Sequence, residues 1–86
     1  MSDALYLPGP MNGAQVRAAR SLLGWNQNRL CKEAGISRAT LNDIENEQGD
    51  PRRSSIEAVR GAFSRHGIHF SEDAETISVH ARKQSA

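Results

Sequence analysis

Glycines at 24, 35, 49 and 67 cut this chain into segments long enough only for short helices that must pack on one another. Each can adopt the positive φ that ends a helix. Small polar residues stand where the segments begin: Asn12, Asn26, Ser37 and the pair Ser54–Ser55. Their side-chain oxygens can accept the free backbone N–H groups of a first turn. The first segment runs from about Asn12 to Leu23, with Val16, Ala19, Leu23 and Arg20 on one side of a helical wheel. The second runs from about Gln27 to Ala34 and stripes Leu30, Cys31 and Ala34. The third follows Ser37 to about Gln48, with Leu41 and Ile44 inward and Ile36 just ahead of the cap. The fourth starts near Ser54 or Ser55 and lines up Ile56, Val59 and Phe63. The pattern predicts a mainly α fold of four helices.

After Gly67 the period changes from 3.6 to 2. Ile68 and Phe70 flank His69, and Ile77 and Val79 alternate with Thr76, Ser78 and His80. Two short strands on either side of Ser71–Glu75 are expected, as a short C-terminal β hairpin or as separate β strands. Residues 1–10 carry Pro8, Gly9 and Pro10 and show no period, which predicts a flexible arm. The organisation expected is an arm over 1–10, a helical domain over 11–67, and strands with a polar tail over 68–86. A lone hairpin is marginal in water, and Thr76–His80 exposes an unpaired edge. Both points favour a homodimer whose interface includes Ile68, Phe70, Ile77 and Val79.

With 86 residues, 37% of them hydrophobic, the chain builds one small core. The lone Cys31 excludes an internal disulfide and fits a reducing cytoplasm. No apolar run approaches the roughly 20 residues that span a bilayer, and no signal-peptide layout opens the chain. A cytoplasmic protein is expected, working at the nucleoid. Net charge is only +1, but residues 11–67 stand at +3, and Arg far outnumbers Lys. The guanidinium fork suits phosphate and guanine, although the same charge also fits a plain solvated surface. No carboxylate pair, glycine-rich phosphate loop or Ser-His-Asp set is apparent, so an enzyme is not expected. His66, His69 and His80 have no metal-ligand spacing with Cys31, and neither metal nor cofactor is expected. Cys31 reads as an inert buried thiol and Trp25 as a core residue at a helix start.

The informative stretch is the second and third segments. The turn Ala34-Gly35-Ile36-Ser37 ends one helix sharply and caps the next. The third helix then points Ala39, Asn42, Asp43 and Asn46 outward, flanked by Arg38 and Thr40. Such short or polar side chains can address base edges in a major groove, while the second helix crosses the backbone. Asp43 repels phosphate but can accept from a cytosine amino group. Arg52 and Arg53, beside Pro51, fit either a solvated loop or phosphate contact.

The stretch from Val16 to Asn46 resembles the lambda-repressor/Cro-like helix-turn-helix family, often called the XRE family. Gly24-Trp25-Asn26-Gln27, Ala34-Gly35-Ile36-Ser37 and Ile44-Glu45 together carry the likeness, which runs less strictly to Phe70 and covers about two-thirds of the chain. The resemblance implies that Gln27 binds a phosphate and braces the third helix. It implies that Arg38, Ala39, Thr40, Asn42 and Asp43 meet bases or adjacent phosphates, and that Asn46 approaches phosphate. Ser37, Arg52 and Arg53 join the expected phosphate contacts. It also implies an Arg20–Glu45 pair tying the first helix to the third. One departure concerns Asn46: relatives usually place Gly after it, whereas Glu47 follows here, which predicts a displaced loop. A second is the ending, where many relatives add a fifth helix. The expected function is a sequence-specific regulator of double-stranded DNA, a repressor on a palindromic operator, of the kind found on phages and mobile elements. The alternatives are an antitoxin that also binds a toxin, and an anti-activator that binds protein through the same fold.

Overall fold

A computed structural model describes residues 4–71. The order is β1 (Leu5–Leu7), α1 (Gly13–Leu23), α2 (Gln27–Ala34), α3 (Arg38–Asn46), α4 (Arg53–Arg65) and β2 (Ile68–Phe70). Local capping explains the first three helices. Asn12, Asn26 and Ser37 sit in extended backbone and accept from the N–H groups of Gln15, Arg29 and Thr40 at 2.9, 2.8 and 3.1 Å. Gly24 and Gly35 end α1 and α2 in the left-handed region at φ 70° and 71°.

The inward faces meet in one core. Val16 and Ala19 of α1, Leu30 of α2, Leu41 of α3, and Val59, Ala62 and Phe63 of α4 are fully buried, with Phe70 of β2 closing the stack. Phe63 sits at its centre, with Trp25 stacked 6.1 Å away and the Phe70 ring edge-on at 6.2 Å. Aromatic pairs at such distances contribute beyond the area they bury. His66 meets Trp25 edge-on, and the Arg29 guanidinium lies 5.0 Å over the Trp25 ring. Trp25 is thus the link between α2 and the end of α4. Burial pushes the Cys31 thiol up, consistent with an unreactive core sulfur.

Of the two C-terminal strands expected, the described residues hold the first. Ile68–Phe70 forms a strand, but its partner is Leu5–Leu7, in parallel, with Tyr6 opposite His69. A three-residue strand is too short to show a period, which is why the arm read as irregular. The Tyr6 and His69 rings stack at 5.0 Å. Ile68 and Phe70 turn inward and are 4% and 0% exposed. This corrects their expected place on a dimer surface: both side chains are already committed to the monomer core. Ile77 and Val79, and the strand expected at Thr76–His80, lie outside the described residues.

Candidate nucleic-acid interface

Only Gly35, Ile36 and Ser37 separate α2 from α3. Gly35 and Ile36 both donate their N–H to the Cys31 carbonyl, at 2.7 and 3.1 Å, closing α2 as the chain reverses. Ser37 starts α3 at once. Its hydroxyl accepts from the Thr40 N–H and donates to Thr40 Oγ1 at 3.0 Å. Leu41 and Ile44 anchor α3 inward, which leaves Arg38, Ala39, Asn42 and Asn46 exposed along its outer face. Spacings of three and four residues put Ala39, Asn42 and Asn46 in one row.

A hydrogen-bond network orients that face. Glu45, 3% exposed, accepts from Arg20 Nε at 2.7 Å and Arg20 Nη2 at 3.2 Å. Gln27, at the start of α2, gives its amide protons to Glu45 Oε1 at 3.1 Å and Asn42 Oδ1 at 3.0 Å. Its own carbonyl accepts from Arg38 Nη2 at 2.7 Å, while Arg38 Nη1 donates to Asn28 Oδ1 at 2.5 Å. The structure thus brings Arg20, Gln27, Arg38, Asn42 and Glu45 into one cluster. Asn28, the anchor that holds the Arg38 fork back on α2, was not read from the sequence. Nothing in its local pattern marks it, because the contact exists only once α3 packs across α2.

The far end of α3 is held by α1. An added Cβ on Gly13 would lie 2.1 Å from the Glu45 carbonyl oxygen, so only glycine allows the two backbones to approach this closely. Arg17 Nη1 donates to that same carbonyl at 2.5 Å. Glu47 takes the left-handed conformation at φ 54°, and its carboxylate accepts the Gly13 N–H at 2.9 Å. Glu47 therefore occupies the backbone state that glycine would favour, and the bond to α1 offsets the strain. Helix α3 stops at Asn46, ahead of the end expected near Gln48.

Asp43 departs from the outward row. It is half-buried, and its Oδ2 lies 2.8 Å from where a Gly49 Cβ would stand, against the loop that leads to α4. The loop passes there because Gly49 has φ +62°. Asp43 shares an open groove of about 480 Å³ with Ser37, Thr40, Asp50, Arg52 and Ser55. Arg52 and Arg53 are exposed at the start of α4, which has no side-chain cap and no acid in its first turn. Two cations at the positive end of a helix dipole repel it and are unfavourable without an anion.

A helix-turn-helix family model matches residues 16–64, more than half of the chain. The chain belongs to the helix-turn-helix family. The match is of the XRE, lambda-repressor-like type, and its span takes in α2, the turn and α3 with the helices that brace them. The protein is a DNA-binding helix-turn-helix regulator. No curated protein and no solved structure matches the chain. Among the described residues, no helix of this regulator is long and apolar enough to cross a membrane.

Proposed function

We propose that this regulator is a transcriptional repressor that reads a palindromic operator as a homodimer in the cytoplasm. The observation that carries the proposal is the outer face of α3, where hydrogen bonds to α2 orient Arg38 and Asn42 before any ligand arrives. Side chains ordered in advance lose less entropy on binding. In this reading Arg38, Ala39, Thr40 and Asn42 meet base edges, and Asp43 guards their flank against phosphate or guanine. Gln27 has spent its side-chain amide on the network, so it meets phosphate through its backbone N–H at the positive end of α2. Ser37, Asn46, Arg52 and Arg53 complete the phosphate contacts, and the anion answers the uncapped start of α4.

One recognition helix covers too few bases to select a site in a genome, so a second copy is required. With Ile68 and Phe70 in the core, that copy joins through the backbone edge of the small sheet together with Ile77 and Val79. Occlusion of a promoter is the simplest way for so small a bound domain to repress. Selection from a random duplex pool tests the reading. It predicts a two-fold symmetric consensus with half-site centres about 34 Å apart, and a dimer mass by light scattering. A monomer at high concentration would end the dimer, and a pool without enrichment would end the operator.

A further inference from the structure

We infer that Asn42 faces DNA as a hydrogen-bond donor only, and so selects a base whose major-groove edge accepts, guanine first. The inference rests on the DNA-reading role of α3 proposed above. An asparagine amide free to turn matches adenine, giving an N–H to N7 and taking one from N6. Asn42 is not free to turn, because the polarity of its partner is fixed from both ends.

Glu45 carries Arg20 on its carboxylate and can only accept, so the Gln27 group facing it at 3.1 Å must be the amino group. Arg38 can only donate, so the Gln27 group facing it at 2.7 Å must be the carbonyl. These two constraints agree and leave Gln27 one orientation. Its second N–H then points at Asn42 across 3.0 Å, and the Asn42 atom that receives it must be oxygen. Turning the Asn42 amide would set two amino groups against each other. Its NH2 group therefore remains on the exposed outer face of α3. The charge on a buried glutamate is thereby translated, through one glutamine, into the hydrogen-bonding sense of a base-reading side chain.

Guanine presents N7 and O6 side by side, both acceptors, and thymine presents O4. Adenine offers N7 alone to a donor, with an amino group beside it that finds no acceptor on Asn42, and cytosine presents only an amino group, so guanine is the better partner of the three. Asn42 is exposed, and its replacement leaves the Arg20–Glu45–Gln27 bonds in place, so the variants fold.

The test compares consensus sequences selected from random duplexes by the wild type, Asn42→Ala and Asn42→Asp. The position whose preference disappears in Asn42→Ala is the one Asn42 reads, and the wild type places guanine or, second, thymine there. Exchanging that guanine for adenine weakens wild-type binding about five- to 150-fold and Asn42→Ala by about twofold or less. Asn42→Asp, which accepts from Gln27 with one oxygen and from the base with the other, moves the preference to cytosine or adenine. Adenine or cytosine at the wild-type position overturns the inference, as does an Asn42→Ala consensus identical to the wild type. A wild-type pool with no enriched sequence overturns the DNA-reading role itself, and the inference falls with it.

Discussion

Glu45→Ala isolates the ion pair that anchors the hydrogen-bond network beneath the outer face of α3. The substitution keeps a good helix former in α3, so propensity does not confound the result. It leaves Arg20 with only its 3.2 Å bond to the Trp25 carbonyl and deprives Gln27 of one acceptor. Removing one partner of a fully buried pair costs about 3–5 kcal/mol. Arg20 is 18% exposed and keeps some water, which lowers the expected loss to about 2–4 kcal/mol. A domain of this length holds about 4–13 kcal/mol in total, so the variant stands close to unfolding. At about 4–8 °C per kcal/mol, the melting midpoint falls by more than about 8 °C. Urea titration followed by the fluorescence of the buried Trp25 measures the loss at a known slope. Replacing Arg20 and Glu45 together by Leu recovers part of it, but not all, because the Trp25 carbonyl and a Gln27 N–H stay without partners. A Glu45→Ala stability within about 0.5 kcal/mol of wild type would show that the pair is no more than a surface contact, since surface changes stay within that range.

Gly13→Ala forces α1 away from the Glu45 carbonyl and costs more than the about 1–3 kcal/mol of ordinary overpacking, whereas Gly61→Ala, whose new Cβ meets only Arg65 Nη1 at 3.6 Å, stabilises by about 0.4–1 kcal/mol. Thermal melts that rank the two alike would contradict the close crossing of α1 and α3. Glu47→Ala keeps the left-handed strain and loses the Gly13 bond, a cost of about 1–2 kcal/mol, while Glu47→Gly also removes the strain and stays within about 0.5 kcal/mol of wild type. Equal melts for the two variants would show that Glu47 bears no backbone strain. Glu33 accepts from Arg29 at 2.9 Å, and this bond first, then His66, holds its carboxyl below the usual 4.5. A carboxyl depressed by folding stabilises above its unfolded pKa and loses that stability as pH falls through the lower folded value. Stability measured from roughly pH 5 downward therefore falls less steeply in Glu33→Gln than in wild type, and parallel curves would exclude the effect.

The parts legible in the sequence were those fixed by neighbours along the chain. Asn12, Asn26 and Ser37 cap within three residues of themselves, and Gly24 and Gly35 stop helices without outside help, so α1, α2 and the turn could be placed. Leu30, Leu41, Val59 and Phe63 follow from helical spacing, which records which face is inward. Contacts that arise only when helices cross left no local mark. Gly13 looks like any glycine near a cap until the Glu45 carbonyl stands against it. Spacing along the chain puts the stop of α3 at Gly49, yet Glu47 ends it, because a carboxylate reaching α1 changes which residue can bear a positive φ. The strand at Leu5–Leu7 depends on a partner more than sixty residues away, and three residues carry no period of their own. At the interface, residue types showed that Arg38 and Asn42 face outward. The bracing by Gln27 came from the family resemblance alone, and nothing in the sequence showed that Asn28 holds Arg38 as well, or that Asp43 turns to the loop.

Sequence-specific binding is decided by the affinity ratio between a selected site and a scrambled duplex of equal length. Measured by titration across a salt series, both affinities fall as salt rises, since phosphate contacts release counterions. The selected site is expected to be preferred by at least about a thousandfold across the series, because base contacts add to the phosphate contacts both duplexes share. Equal affinity for the two duplexes, falling together with salt, would instead make the protein a generic polyanion binder with no base reading by α3.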